Sequence, residues 1–243
     1  MRYFIELRYK GTNYCGWQRQ NNDITIQGCI EDALSKLLRS KIEITGAGRT
    51  DAGVHASHYV AHFDHTNEAI DCQQLCYKLN VILPPDIAIK SVYPVDTELH
   101  ARFSATMREY TYIIEPQKNP FSRELSWQYY VTLDIENMNR AADYLLKHND
   151  FTSFAKLNSN NKTNICDVSY AEWHTSPKGE LIFTIRADRF LRNMIRAIVG
   201  TLVDVGRGKY THEDFNDIIL SCDLSRASGS APAQGLFLSD IKY

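Results

Sequence analysis

The segment Gly46–Ala56, GAGRTDAGVHA, places an arginine and an aspartate two residues apart in a stretch that holds three glycines within eight residues. Glycines at this density are typical of a tight turn that another backbone or a ligand approaches closely. An aspartate is normally ionised at neutral pH, so Asp51 can act as a nucleophile without an activating base, with Arg49 as its orienting partner. The residues alone leave a second interpretation open, in which this Arg–Asp pair only stabilises the turn.

Two kinds of phosphate-binding loop are excluded for this segment. A dinucleotide-binding turn would need a glycine where Asp51 stands, followed by a helix. A Walker loop would end in Gly-Lys-Ser or Gly-Lys-Thr, which this segment lacks. A carboxylate would also repel a phosphate. Nucleophilic chemistry is therefore the better functional interpretation.

A tyrosine in the second half of the chain is a candidate for binding a base. Tyr110 lies on a predicted strand with Arg108 and Tyr112 on the same face. Two aromatic rings beside an arginine suit base stacking. The alternative is that these tyrosines are ordinary half-buried strand residues.

Arginines further along the chain are candidates for binding phosphates. A predicted helix from Arg189 to Val205 would bring Arg189, Arg192 and Arg196 onto one face, with Arg186 just upstream. Three arginines with no acidic partner on that stripe indicate an anionic ligand. The alternative is a solvated helix face. A second stripe of the same helix predicts core packing by Phe190, Met194, Ile198 and Leu202.

Four histidines between residues 55 and 65 could suggest a metal site. Their segment has the composition of a strand, which would hold His58 and His62 about 13 Å apart. One zinc ion binds nitrogens at about 2.1 Å, so this pair cannot share it. We therefore predict no metal site; a helical segment would have reversed that conclusion.

Six segments of the chain resemble motifs of the TruA family of tRNA pseudouridine synthases, in the family's order and over nearly the whole length. They are Tyr14–Gln20 (YCGWQRQ), the GRTDAGVHA turn, His100–Ala105 (HARFSA) with REYTY at 108–112, Asp150–Phe154 (DFTSF), Arg192–Gly200 (RNMIRAIVG) and Pro232–Leu238 (PAQGLFL). Each segment alone is weak, and the six in order make the resemblance specific.

The resemblance implies roles for individual residues. Asp51 matches the family's catalytic nucleophile and Arg49 the arginine of its motif. Tyr110 matches the tyrosine that packs on the target base. Arg196 matches the arginine that pairs with the aspartate from the other half of the molecule. The arginine stripe adds Arg189 and Arg192 as RNA-binding candidates.

The resemblance also implies a reaction and its partners. It points to isomerisation of uridine to pseudouridine at tRNA positions 38 to 40, in the anticodon stem-loop, by a homodimer in which one tRNA touches both subunits. Because no electrons, water or group donor enter this reaction, no cofactor is expected. Attack of Asp51 on the ribose C1′, attack on the uracil C6, and assistance to a deprotonation at the ribose all remain open.

The elements that must position these residues follow an order of β-α-β-β-α-β, which is typical of ferredoxin-like folds. The second half repeats this order without repeating the sequence. We therefore predict an α+β fold of two ferredoxin-like halves, residues 1–101 and 102–243. They would share one mixed or antiparallel sheet, with helices on one face and an RNA-binding cleft on the other.

Composition limits the class of protein. With 44% hydrophobic and 23% charged residues, the chain can bury a core, and its net charge of −2 argues against a wholly basic RNA coat protein. The six scattered cysteines and a start without a signal peptide predict a cytoplasmic protein, and no apolar run approaches the length of a membrane span. Two competing hypotheses are an RNA-binding module without chemistry, which has no use for Asp51, and a metal-dependent hydrolase built on the histidines.

Overall fold

The computed structural model describes residues 1–66, 69–156 and 163–243. These residues form nine strands and five α-helices and separate into two compact units, Met1–Thr106 with Leu238–Tyr243, and Met107–Phe237. The expected boundary lay after residue 101. The polar stretch at 157–163 falls almost wholly outside the described residues. Among those residues, no helix has the length and apolar character that crossing a membrane requires.

The first unit begins as an antiparallel sheet backed by two helices. Its elements are β1 (Arg2–Tyr9), α1 (Ile26–Leu38), β2 (Thr45–Gly46), β3 (His55–Asp64), α2 (Cys72–Ile82) and β4 (Ile87–Val95). Strand β1 lies between β4 and β3, and the short β2 pairs with β3. The predicted order of elements is therefore confirmed here, although the second strand has only two residues.

The end of the chain returns to this unit. Lys242 accepts a hydrogen bond from the Thr106 amide at 2.8 Å, and the Tyr243 hydroxyl donates to Ala101 at 2.8 Å. The Tyr243 ring packs on Phe4, with centroids 5.2 Å apart. Phe4 is buried, and Tyr243 is one of the rings that cover it.

The second unit has a mixed sheet with helices of its own. Its elements are β5 (Met107–Glu115), β6 (Trp127–Gln128), α3 (Ile135–Ala142), β7 (Val168–Thr175), β8 (Leu181–Ala187), α4 (Met194–Gly206) and α5 (His212–Leu220), and β9 (Leu236–Lys242) ends the chain. Strand β8 pairs antiparallel with both β5 and β7, while β6 pairs parallel with β5. The predicted α+β class is confirmed.

Helix α4 begins five residues later than the sequence pattern predicted, so the Arg189–Val205 prediction is wrong at its start. Asn193 adopts a left-handed conformation with φ of 66°, which an α-helix cannot continue through. The preceding residues instead form a turn in which the Met194 amide donates to Leu191. From Met194 onward the helix is nearly all buried, and Arg196 and Asp204 are its half-exposed members.

Candidate active site

Residues 46–55, which we call the Asp51 turn, connect β2 to β3 in the first unit. The Ala47 amide donates to Val60 at 2.9 Å, which extends the strand pairing beyond β2. The Val54 amide then donates to Asp51 at 3.1 Å, and Gly53 has a φ of 78°. A positive φ at the third position of a four-residue turn requires glycine. Asp51 is thus the first residue of a tight turn, and it is half-buried.

Two buried tyrosine hydroxyls hold the Asp51 turn from behind. The Tyr59 hydroxyl lies within hydrogen-bond distance of both the amide and the carbonyl oxygen of Gly48. The Tyr9 hydroxyl bonds the Thr50 hydroxyl at 2.8 Å. Both tyrosines are at most 4% exposed. A buried polar group left without its partner costs about 1–3 kcal/mol, so these bonds restrict the turn to one conformation.

The YCGWQRQ segment also packs on the Asp51 turn. The Trp17 amide donates to Thr50 at 3.2 Å, and the Trp17 ring stacks on Tyr59 with centroids 4.0 Å apart. Gly16 has a φ of 83°, and a Cβ atom there would collide with the Thr50 carbonyl oxygen. The YCGWQRQ segment therefore has a structural role, which is to support the Asp51 turn. Tyr9, Tyr59 and Thr50 carry no local sequence signal of this supporting role, because their partners lie far away in the sequence or on another strand.

Arg49 lies beside Asp51 at the edge of the turn and is exposed. Its neighbour Thr50 is buried. The turn thus alternates a solvent-facing guanidinium, a buried hydroxyl and a half-buried carboxylate over three residues. This pattern makes Arg49 accessible to an anionic ligand, and its role toward Asp51 stays a prediction.

The histidines belong to the framework of the first unit. His55 is buried and accepts a hydrogen bond from the Gly11 amide at 2.9 Å through Nδ1. His62 on β3 accepts one from Ala101 at 3.1 Å, and burial lowers the pKa of His62 to about 4. The strand prediction for His58 and His62 is confirmed. In the described part of the chain, no three histidine, cysteine or acidic side chains are grouped closely enough to bind a metal ion.

Tyr110 lies in the middle of the second unit's sheet. It pairs with Ile185 across β5 and β8, and its ring meets Phe190 edge to face with centroids 5.3 Å apart. Tyr110 is half-buried, whereas Tyr112 is fully buried and donates its hydroxyl to Pro232 at 2.8 Å. Burial raises the pKa of Tyr112. Only Tyr110 of this pair is therefore accessible for stacking, and Phe190 supports its ring instead of joining a helical core stripe.

Residues 186–196, which we call the arginine segment, do not form the predicted helical face. Arg186 on β8 forms an ion pair with Glu109 at 2.6 Å and lies 4.7 Å from the Tyr170 ring centroid. It therefore has an acidic partner that the sequence pattern did not show. Arg189 and Arg192 lie in the irregular stretch before α4, where Arg189 is half-buried and Arg192 is exposed.

Arg196 lies in the first turn of α4 and connects this helix to the segment before the PAQGLFL motif. Its Nε donates to the Ala231 carbonyl oxygen at 2.7 Å, and the Ala231 amide donates back to the Arg196 carbonyl oxygen at 2.9 Å. The Asn193 side chain donates to the Ser230 hydroxyl at 2.7 Å. Arg196 is thus held in one orientation by its backbone partners, as a positioned guanidinium needs to be.

Both of these regions lie in parts of the chain that match a known protein family. A family model described as tRNA pseudouridine synthase matches residues 7–104 and 141–243. A protein named tRNA pseudouridine synthase A from Bacteroides thetaiotaomicron is 53% identical over 245 residues, covering 100% of this chain and 90% of that protein. One of the same name from Porphyromonas gingivalis is 48% identical, covering 100% of this chain and 97% of that protein.

A further protein named tRNA pseudouridine synthase A, from Acetivibrio thermocellus, is 41% identical, covering 98% of this chain and 97% of that protein. Among solved structures, the CRISPR endoribonuclease Cse3 bound to a 19-nucleotide RNA matches with a TM-score of 0.21 and 10% identity over 86% of this chain and 94% of that chain. That likeness is too weak to carry an argument. The sequence matches extend over nearly the full length of each chain.

Proposed function

The chain belongs to the tRNA pseudouridine synthase family, a family of isomerases, and we propose that it converts uridine to pseudouridine at positions 38, 39 and 40 of the tRNA anticodon stem-loop. We propose Asp51 as the nucleophile. The observation that carries the assignment is the half-buried carboxylate at the first position of a turn restrained by buried tyrosine hydroxyls. A nucleophile needs such a fixed position, because small misplacements slow a reaction severely.

The isomerisation of uridine requires little more than a nucleophile and a site protected from water. The N1–C1′ bond of uridine breaks, the base rotates, and a C5–C1′ bond forms. The proton on C5 leaves and N1 gains one, so atoms and charge balance without a cofactor. Asp51 would start this sequence by attack on C1′, by attack on C6, or by assisting removal of a ribose proton, and the proposal is compatible with all three.

Three further residues are proposed to act at the site. Tyr110 would stack on the base, because its ring is accessible and Phe190 supports it from the side. Arg196 is proposed as a substrate-binding residue, as the family resemblance implies, and its backbone partner at Ala231 supports a fixed guanidinium. Arg49 would contact the substrate from the exposed edge of the turn.

Arg189 and Arg192 of the arginine segment are proposed to bind the tRNA backbone. Arg192 is exposed, and Arg189 precedes it in a stretch whose side chains are not constrained by a helix. Arginines bind phosphates through several donors at once, and such contacts supply much of the affinity for a nucleic acid. Because α4 begins only at Met194, Arg189 and Arg192 do not share a helix face, but both guanidinium groups remain able to bind phosphates.

The assembly and its location are also proposals. We propose a homodimer in which one tRNA touches both subunits, on the basis of the family resemblance. We propose the cytoplasm as its location, since all six cysteines are free thiols, as is typical of a reducing compartment. Equilibrium sedimentation would test the dimer directly.

The experiment that tests the function is to map pseudouridine in unmodified tRNA after treatment with the purified protein. We expect new pseudouridine wherever a uridine occupies positions 38 to 40. A tRNA with cytidine at those positions serves as the control and should gain none. Treatment with a chelator should leave the activity unchanged. Pseudouridine at other positions only would contradict the positional assignment, and none at all would contradict the activity.

A further inference from the structure

Phe103, in the HARFSA segment of the first unit, is an exposed aromatic side chain without an assigned role. It retains 76% of its accessible surface, in contrast to the neighbouring Ala101, which is fully buried. Burying an aromatic ring is normally favourable, so a ring left this exposed calls for a physical explanation. Its ring lies beside the side chains of His100 and Arg102, whereas a protein-docking patch would present a contiguous apolar area.

The turn that carries Phe103 is held rigidly. The Nδ1 atom of His100 accepts hydrogen bonds from the amides of Arg102 at 3.1 Å and of Phe103 at 3.2 Å. The Ser104 amide donates to the His100 carbonyl oxygen, and the Ser104 hydroxyl accepts from the His100 amide, both at 2.9 Å. Burial lowers the pKa of His100, which keeps Nδ1 available as an acceptor at neutral pH. The orientation of the exposed ring is therefore set before any ligand arrives.

The ring is also flanked by groups that favour stacking. The imidazole of His100 lies against it, with centroids 4.4 Å apart and planes tilted by 32°. The guanidinium carbon of Arg102 lies 5.5 Å from the ring centroid. An aromatic ring backed by a second ring and accompanied by an arginine is the combination with which proteins bind unpaired bases of single-stranded nucleic acids.

We propose that His100, Arg102 and Phe103 form a stacking platform for an unpaired base of the RNA substrate, separate from the base that is isomerised. This inference rests on the proposed function for the identity of the RNA. Phe103 would stack on the base, and Arg102 would contribute its charge beside the phosphate backbone. His100 is a positioning residue, because it acts through the orientation of the Phe103 ring.

The test is a comparison of binding to two RNAs, an anticodon stem-loop and a fully paired duplex with the same stem. Phe103→Ala should weaken binding to the stem-loop at least about fivefold, which corresponds to the lower limit of about 1 kcal/mol for one stacked base. Binding to the duplex should be unchanged. Phe103→Trp should bind the stem-loop like wild type, and stem-loop RNA should quench the added tryptophan fluorescence.

Phe121 offers a matched control in the second unit. It is 93% exposed, and its ring has no aromatic or cationic neighbour among the residues that the structure describes. Phe121→Ala should leave stem-loop binding unchanged, and thermal unfolding of each variant shows whether it is folded. Unchanged stem-loop binding by folded Phe103→Ala, or equal losses for stem-loop and duplex, would overturn the platform.

Binding keeps this test distinct from the test of the enzyme activity. If the wild type forms pseudouridine while Phe103→Ala binds normally, the platform alone has failed. If the wild type binds the stem-loop in a Phe103-dependent way yet forms no pseudouridine, the proposed function alone has failed. A wild-type protein that binds neither RNA would overturn both.

Discussion

The Asp51 turn and the arginine segment differ in how their residues are held. In the turn, buried hydroxyls of Tyr9 and Tyr59 restrain the backbone, and Gly53 supplies the one conformation that closes it. In the arginine segment, Arg192 is exposed and Arg189 precedes a helix that begins only after them. Under the proposed function, the first region fixes the nucleophile in place, whereas Arg189 and Arg192 supply charge to the tRNA backbone.

This comparison separates two kinds of expected defect. Changes that disturb the turn should reduce the rate of the chemical step, because a nucleophile depends on its position. Changes at Arg189 and Arg192 should reduce tRNA affinity and its dependence on salt, because phosphate contacts are distributed and additive to a first approximation. A substitution in the turn that reduced only tRNA affinity, or one at the arginines that reduced only the rate, would contradict this distinction.

Among changes that leave Asp51 itself intact, the largest defect is expected from Gly16→Ala. Gly16 has a φ of 83° and an added Cβ would collide with the Thr50 carbonyl oxygen, next to Asp51. Because the turn would have to move, we expect the single-turnover rate to fall about 100-fold or more, with tRNA affinity nearly unchanged. Gly179→Ala is the matched control, since Gly179 has a φ of 87° but no atom within 4 Å of the added carbon. A normal rate in Gly16→Ala would show that the turn tolerates displacement.

A smaller defect that affects both rate and affinity is expected at Tyr110. Tyr110→Leu removes the accessible ring, so capture of the extruded base should weaken by between about fivefold and 100-fold. Tyr110→Phe keeps the ring and should bind like wild type, and its turnover should fall only if the hydroxyl transfers a proton. Single-turnover rates and tRNA affinities of both variants provide the measurement. A wild-type rate and affinity in Tyr110→Leu would show that Tyr110 is an ordinary strand residue with no role in binding the base.

A defect of about tenfold in rate is expected from Tyr59→Phe, because the half-buried Gly48 loses a hydrogen-bond partner worth about 0.5–1.5 kcal/mol. Affinity for tRNA should stay within about twofold, since phosphate contacts are untouched. Tyr3→Phe is the control, as its hydroxyl accepts from the Ile70 amide away from the turn. Equal rate losses in both variants would mean that Tyr59 acts only through the stability of the unit.

The smallest defect is expected from Arg189→Gln combined with Arg192→Gln. Affinity at physiological salt should fall a few fold, and each lost phosphate contact should reduce the log–log salt slope by about one or somewhat less. The single-turnover rate at saturating protein should be unchanged. Arg140→Gln serves as the control, because Arg140 is an exposed residue that pairs with Glu136 on α3. An unchanged salt slope in the double variant would show that Arg189 and Arg192 do not contact phosphates.

The two regions also differ in how well the sequence predicts them. The strands before and after Asp51 follow from alternating apolar residues, and the turn follows from its glycines. The predicted start of α4 is wrong because the left-handed conformation of Asn193 ends the helical geometry there. The spacing of the apolar residues in the sequence does not reveal this conformation. The buried Tyr112 hydroxyl finds its hydrogen-bond partner at Pro232, 120 residues away, and no local pattern contains that information. The hydroxyl contacts behind the turn likewise join residues that are distant in the sequence, such as Tyr9 and Thr50.

The most direct test of the central claim is Asp51→Asn, which keeps the shape of the side chain and removes its charge. Single-turnover pseudouridine formation and tRNA affinity are measured on the same preparation. We expect no detectable pseudouridine together with tRNA affinity close to that of the wild type, because nothing replaces the nucleophile while the phosphate contacts remain. Activity within about tenfold of wild type would contradict the assignment of Asp51 as the nucleophile, since a true nucleophile contributes far more than that.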